Sequence, residues 1–106
     1  MNIQKYPGIK NGMHVQINYS PGVPVPFNPV NPKSYVRLPV FFEWSRVKNA
    51  DTYHLQVSSS DTFDSIIMEV YNITGCIYFA GVVRFVPGLS YYWRVRGMNE
   101  RAAGKF

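Results

Sequence analysis

Over residues 91–96, Tyr-Tyr-Trp-Arg-Val-Arg, one apolar set alternates with one polar set: Tyr91, Trp93 and Val95 share a face, and Tyr92, Arg94 and Arg96 share the other. A period of two sets one face of a β-strand against a core and the other toward water. The pattern recurs up the chain. Val40, Phe42 and Trp44 fall together in 40–45; Tyr53, Leu55 and Val57 fall together in 52–59, opposite His54, Gln56 and Ser58. Residues 66–73 read as a strand with Glu69 on its wet face, and 76–79 and 82–86 as short strands broken at Ala80-Gly81. Near the start, 13–19 alternates as well, with Val15, Ile17 and Tyr19 on one side.

Turn signals divide these runs: Lys48-Asn49-Ala50-Asp51, Ser59-Ser60-Asp61-Thr62 (with Phe63 folding back as its apolar anchor), Thr74-Gly75 and Pro87-Gly88. No segment sustains helical periodicity. Strands at intervals of about ten residues with turns between them predict an all-β antiparallel sandwich. Pro21, Pro24, Pro26, Pro29 and Pro32 remove backbone donors, so 21–32 is expected to be a linker or an edge strand. A chain of 106 residues is one domain with at most an arm. We divide it into an N-terminal arm with a short strand, 1–22, and a sandwich, 23–106.

From Pro26 onward the chain resembles a fibronectin type III domain of the kind common in bacterial and phage proteins. Three blocks carry the resemblance: Phe42-Glu43-Trp44-Ser45-Arg46-Val47; Ala50 through Ser58 with Phe63 after it; and Phe85-Val86-Pro87-Gly88-Leu89-Ser90 running into 91–96. The resemblance implies an immunoglobulin-like β-sandwich with Phe42, Trp44, Tyr53, Leu55, Val57, Tyr91, Trp93 and Val95 in its core. It implies that Trp44 is the core tryptophan of strand B. It also implies that Tyr91 closes the E–F corner with its hydroxyl on upstream backbone. Two departures stand out. The family's strand G is reduced to Lys105-Phe106, and residues 1–20 precede the usual strand A.

Charge adds a preference in partners. The net charge is +5 and the isoelectric point about 9.5, which favours nucleic acid, anionic glycans, lipid or an acidic protein surface. The basic residues are scattered, as on an ordinary solvated surface. Cys76 is the single cysteine, so no disulfide forms within the chain, and a small buried apolar side chain is its simplest role. No apolar h-region follows Met1 and no run approaches ~20 apolar residues, so neither a signal peptide nor a membrane span is expected.

Candidate chemistry is sparse. His14 and His54 lie in separate strands, and no Ser or Cys sits in a nucleophile motif, so no enzyme is expected. Asp61 and Asp64 share a loop, but Ca²⁺ takes about six or more oxygens, and capping of the loop by Asp61 is the simpler role. No metal or cofactor is expected. Tyr92, Arg94 and Arg96, with Arg84 near, could stack bases and neutralise phosphates, yet no nucleic-acid-binding module accompanies them, so nucleic acid is not the expected partner. Asn18-Tyr19-Ser20 and Asn72-Ile73-Thr74 match the glycosylation sequon and are read as incidental. Arg-Gly-Asp is absent.

The expected function is therefore structural: a non-enzymatic assembly module. The exposed edge beside Tyr92, Arg94 and Arg96 is expected to take a strand, with the arm Val15, Ile17 and Tyr19 as donor, either folding back or reaching a neighbour. The second route propagates head to tail into a filament or lattice. The expected setting is a virion, as a capsid or tail decoration, or the extracellular surface, with other protein subunits as partners. The alternative is a carbohydrate- or cell-surface-binding module of a larger secreted bacterial protein, with a glycan as ligand.

Overall fold

The structure, a computed structural model, describes residues 19–29, 40–81, 85–86 and 88–106. Val15, Ile17, His14 and Arg84 lie outside these residues, as does 82–84 of the last short strand expected before Pro87. Among the described residues six strands follow in order: β1 Pro26–Asn28, β2 Val40–Trp44, β3 Thr52–Ser58, β4 Ile66–Ile73, β5 Ile77–Gly81 and β6 Tyr92–Met98. Among the described residues there is no helix. The strands form two three-stranded antiparallel sheets, β1-β2-β5 and β4-β3-β6.

Alternation explains how the sheets meet. β2 buries Val40, Phe42 and Trp44, β3 buries Tyr53, Leu55 and Val57, and Ile73 and Val95 complete the buried cluster. Tyr91 and Trp93 are partly buried and pack against it. Aromatic rings join the sheets: Phe42 meets Trp93 edge-on at 5.1 Å between centroids, and Trp44 meets Tyr53 at 5.6 Å. Each aromatic pair of this kind adds about 0.5–1.5 kcal/mol beyond the area it buries. The Tyr53 hydroxyl accepts from the Val47 amide at 3.0 Å, so the polar end of this ring is satisfied while the ring itself fills the core.

Two expectations about strand ends change. β5 takes in Ala80-Gly81, which were expected to break it. Its pairing with β2 shifts register between Val40 (opposite Gly81) and Phe41 (opposite Phe79), so the small residues mark an irregularity within the ladder. β6 begins at Tyr92, one residue after Tyr91. Tyr91 instead stands at the corner before it. Its hydroxyl accepts from the Val86 amide at 2.9 Å, and its ring meets Phe85 edge-on at 5.1 Å.

The proline-rich stretch supplies the edge strand of the first sheet. Among the described residues β1 pairs with β2 alone, and just before it the Val25 amide donates to Ser45 Oγ at 2.8 Å while Ser45 N–H donates to the Val25 carbonyl at 2.9 Å. Residues 19–22, the end of the arm, lie on the body. Pro21 is buried, Gly22 N–H donates to the Lys48 carbonyl, and Asn99 Nδ2 donates to the Tyr19 carbonyl at 2.8 Å. Gly97 makes room for this contact: a Cβ there would stand 2.8 Å from the Ala50 Cβ and 2.9 Å from the Pro21 Cβ.

Candidate functional site

The outer face of the sheet β4-β3-β6 gathers the polar side chains. Register sets who meets whom: His54 lies opposite Arg96, and Gln56 lies opposite Arg94 on one side and Glu69 on the other. Hydrogen bonds follow those pairings. Arg96 Nε donates to His54 Nδ1 at 3.0 Å, and His54 Nε2 stands 2.7 Å from Glu69 Oε2. Arg94 Nε donates to Gln56 Oε1 at 2.8 Å, and Gln56 Nε2 donates to Glu69 Oε2 at 2.6 Å. The Tyr71 hydroxyl also donates to Glu69 Oε2, at 3.4 Å.

These bonds settle the state of the imidazole. A guanidinium N–H aimed at Nδ1 needs a lone pair there, so the ring is neutral with its proton on Nε2, donated to the carboxylate. Burial holds the His54 pKa below its ordinary value, Arg96 and Arg94 push the same way, and Glu69 opposes them. The Glu69 carboxyl is held below its ordinary range chiefly by the Gln56 amide, then by His54.

Aromatic side chains cover this face, which overturns part of the expectation. His54 and Ser58, expected in water, are 1% and 0% exposed. Tyr92, Arg94 and Arg96, expected as an exposed face, are only partly exposed. Tyr71 stacks flat on His54 at 4.0 Å and 8° between planes, while Phe106 tilts against it at 5.4 Å. The Arg94 guanidinium lies between two rings, 4.2 Å from Phe63 and 4.1 Å from Phe106, and Arg96 lies 4.7 Å from the same Phe106 ring. Phe63 reaches its place with φ at 61°, a left-handed conformation rare for a bulky residue. Ser58 Oγ is occupied by its own loop, donating to the Ser65 carbonyl at 2.9 Å and accepting from Ser60 N–H. In that loop the bonded carboxylate is Asp64, which accepts from Ser60 Oγ at 2.6 Å, rather than the expected Asp61.

Among the described residues the margins of this sheet are β4 and β6. Past the turn at 99–102, Ala103 bridges to Met98 and Gly104 N–H donates to the Gly97 carbonyl. From Tyr92 to Arg96 no backbone partner stands on the side away from β3 among the described residues. Asn99 holds the neighbouring turn together: its Oδ1 accepts from the Arg101 and Ala102 amides, and its Nδ2 donates to the Tyr19 and Asn49 carbonyls. The ring of Tyr19, the described member of the expected arm, lies 4.5 Å from the Arg101 guanidinium.

Sequence reasoning missed a second surface. Phe41 and Phe79 stand in register on the outer face of the first sheet, 4.9 Å apart and 45% and 54% exposed, beside exposed Ile77 and Phe27. The signal was in 40–42, where Phe41 interrupts the alternation with an apolar residue on the wet side. Cys76 is free and partly buried against the core. Among the described residues no group of three His, Cys, Asp or Glu side chains converges, and there is no helix long and apolar enough to cross a membrane. Compared with known proteins, the chain matches no family model, no curated protein and no solved structure.

Proposed function

We propose that this chain is a non-enzymatic assembly module that takes an added β-strand at the free edge of β6. The observation that carries the reading is the backbone from Tyr92 to Arg96, which on the side away from β3 has no partner among the described residues. The donor is the alternating segment 13–19, from the same chain or a neighbouring copy. Tyr19, the one described member of that segment, accepts from Asn99 Nδ2 just past the end of β6, which supports this choice of donor. At ~3.3 Å per residue, a segment of this length matches the length of β6. In a virion or at a cell surface, such pairing joins subunits through main-chain hydrogen bonds.

The finer fold we propose is the fibronectin type III sandwich. Its support is the strand order, with β1-β2-β5 in the places of A-B-E and β4-β3-β6 in those of C′-C-F, together with the Tyr91 corner bond. Light scattering over a concentration series tests the assembly reading. Association that grows with concentration and is abolished by deleting residues 1–18 supports pairing between copies. Equal behaviour of both proteins, monomeric throughout, with no change in the stability of β6 on deletion, contradicts it.

One observation favours a second reading, a carbohydrate-binding module. Tyr71 is 52% exposed and held flat against His54, which leaves a ring face for a sugar. A glycan array with the unmodified protein and Tyr71→Ala tests it: a ligand lost in the variant supports this reading, and an empty array contradicts it.

A further inference from the structure

Arg94 and Arg96 are two guanidinium groups on one sheet face, and no Asp or Glu side chain pairs with either. All six Asp and Glu residues of the chain (Glu43, Asp51, Asp61, Asp64, Glu69 and Glu100) lie at described positions. Among the described residues none pairs with either arginine; the close carboxylate contact there is Glu69 to the neutral His54. Glu69, the one carboxylate side chain within β3, β4 and β6, spends its Oε2 on His54, Gln56 and Tyr71. Each arginine uses Nε on a neutral acceptor, Gln56 or His54. A guanidinium carries five N–H donors. Those on the outer nitrogens of both arginines therefore lack an acceptor among the described residues. The flat groups are already ordered, Arg94 between Phe63 and Phe106 and Arg96 against Phe106, so little freedom remains to be lost when a carboxylate arrives.

The same two residues flank the free edge of β6. A strand added there places alternate side chains directly beside Tyr92, Arg94 and Arg96, at ~4.5–5.5 Å between Cβ atoms, where opposite charges attract. The polar set of the chain's own donor segment, His14, Gln16 and Asn18, offers no carboxylate. We propose that the preferred occupant of this edge is an acidic strand of another protein, with Asp or Glu at alternate positions facing Arg94 and Arg96. It outcompetes the segment 13–19. This rests on the strand-addition reading and names its partner. Nucleic acid fits less well, because Phe63 and Phe106, the rings nearest the two arginines, already stack guanidinium groups and leave only Tyr92 and Tyr71 to stack bases.

The test is fluorescence anisotropy on the full chain with four labelled probes. They are a short peptide alternating Val and Glu, its Val and Gln counterpart, the Glu peptide N-methylated on the amides that would pair with β6, and a single-stranded oligonucleotide. The Glu peptide should bind roughly tenfold more tightly than the Gln peptide at low salt. That gap should close in R94Q/R96Q and also, on the unmodified protein, as salt is raised. The salt titration keeps the test decisive should the double variant fail to fold. N-methylation should abolish binding. Equal binding of Glu and Gln peptides, both sensitive to N-methylation, overturns the acidic partner and leaves strand addition standing. A Glu peptide indifferent to N-methylation overturns strand addition itself. An oligonucleotide that binds more tightly than the Glu peptide, and loses that in R94Q/R96Q, overturns the protein partner.

Discussion

In its neutral form His54 accepts from Arg96 through Nδ1 and donates to Glu69 through Nε2. A proton added at Nδ1 turns that acceptor into a donor facing a guanidinium, inside a site already 99% closed to water at His54, which is 1% exposed. The folded pKa lies below the ordinary 6.5, so the unfolded chain binds the proton more readily than the folded one. The stabilisation is then complete above pH 6.5 and is lost as pH falls from there through the folded value. Glu69 acts in the same direction at lower pH: it stabilises above the ordinary 4.5 and loses that as pH falls through its depressed folded value. Urea unfolding should show stability declining below about pH 6.5, and His54→Gln should flatten that first decline. A pH-independent midpoint across this range contradicts the burial of a neutral imidazole. Elsewhere in the core, Trp44→Ala should cost about 3–5 kcal/mol by the same measurement. Tyr91→Phe, which removes only the bond to the Val86 amide, should cost about 0.5–1.5 kcal/mol.

At the scale of elements, alternation made the inward faces of β2, β3 and β6 legible, because an apolar residue at every second position has one place to go. The outward faces were less so. Alternation separates two faces of a strand, but whether the polar face meets water depends on what folds over it. Here Phe63 and Phe106 come from loops and tails whose paths carry no period. That is why His54, under Phe106 and Tyr71, and Ser58, closed in by its own loop, read as wet and are buried. Ala80-Gly81 misled for a related reason: small residues mark a local irregularity, and whether it ends a strand or shifts its register is set by the partner, β2. Phe106→Ala should uncover the face, raising the solvent exposure of His54 and lowering stability by about 1–2 kcal/mol through lost contact with two guanidinium groups and a ring. NMR titration of His54 should then report a pKa closer to 6.5 than in the unmodified protein. Gly97→Ala forces a Cβ against Ala50 and Pro21 and should cost about 1–3 kcal/mol, with residues 19–22 loosened first in amide exchange.

At the scale of the molecule, charge and edge act in opposite senses on two kinds of partner. Each copy carries +5, so association between copies works against like-charge repulsion and should strengthen as salt screens it. Binding of an acidic strand should weaken under the same change. The sign of the salt dependence thus separates self-pairing from capture of another subunit. Both depend on one central claim, that the backbone from Tyr92 to Arg96 is a place where a strand adds. Amide hydrogen exchange of those residues, followed across protein concentration with and without residues 1–18, tests it most directly. The account predicts slow exchange along Tyr92–Arg96 that rises toward the rate of an open edge when 1–18 is removed. Pairing between copies further predicts that protection grows with concentration. Exchange at those amides that is the same in both proteins at every concentration would contradict it.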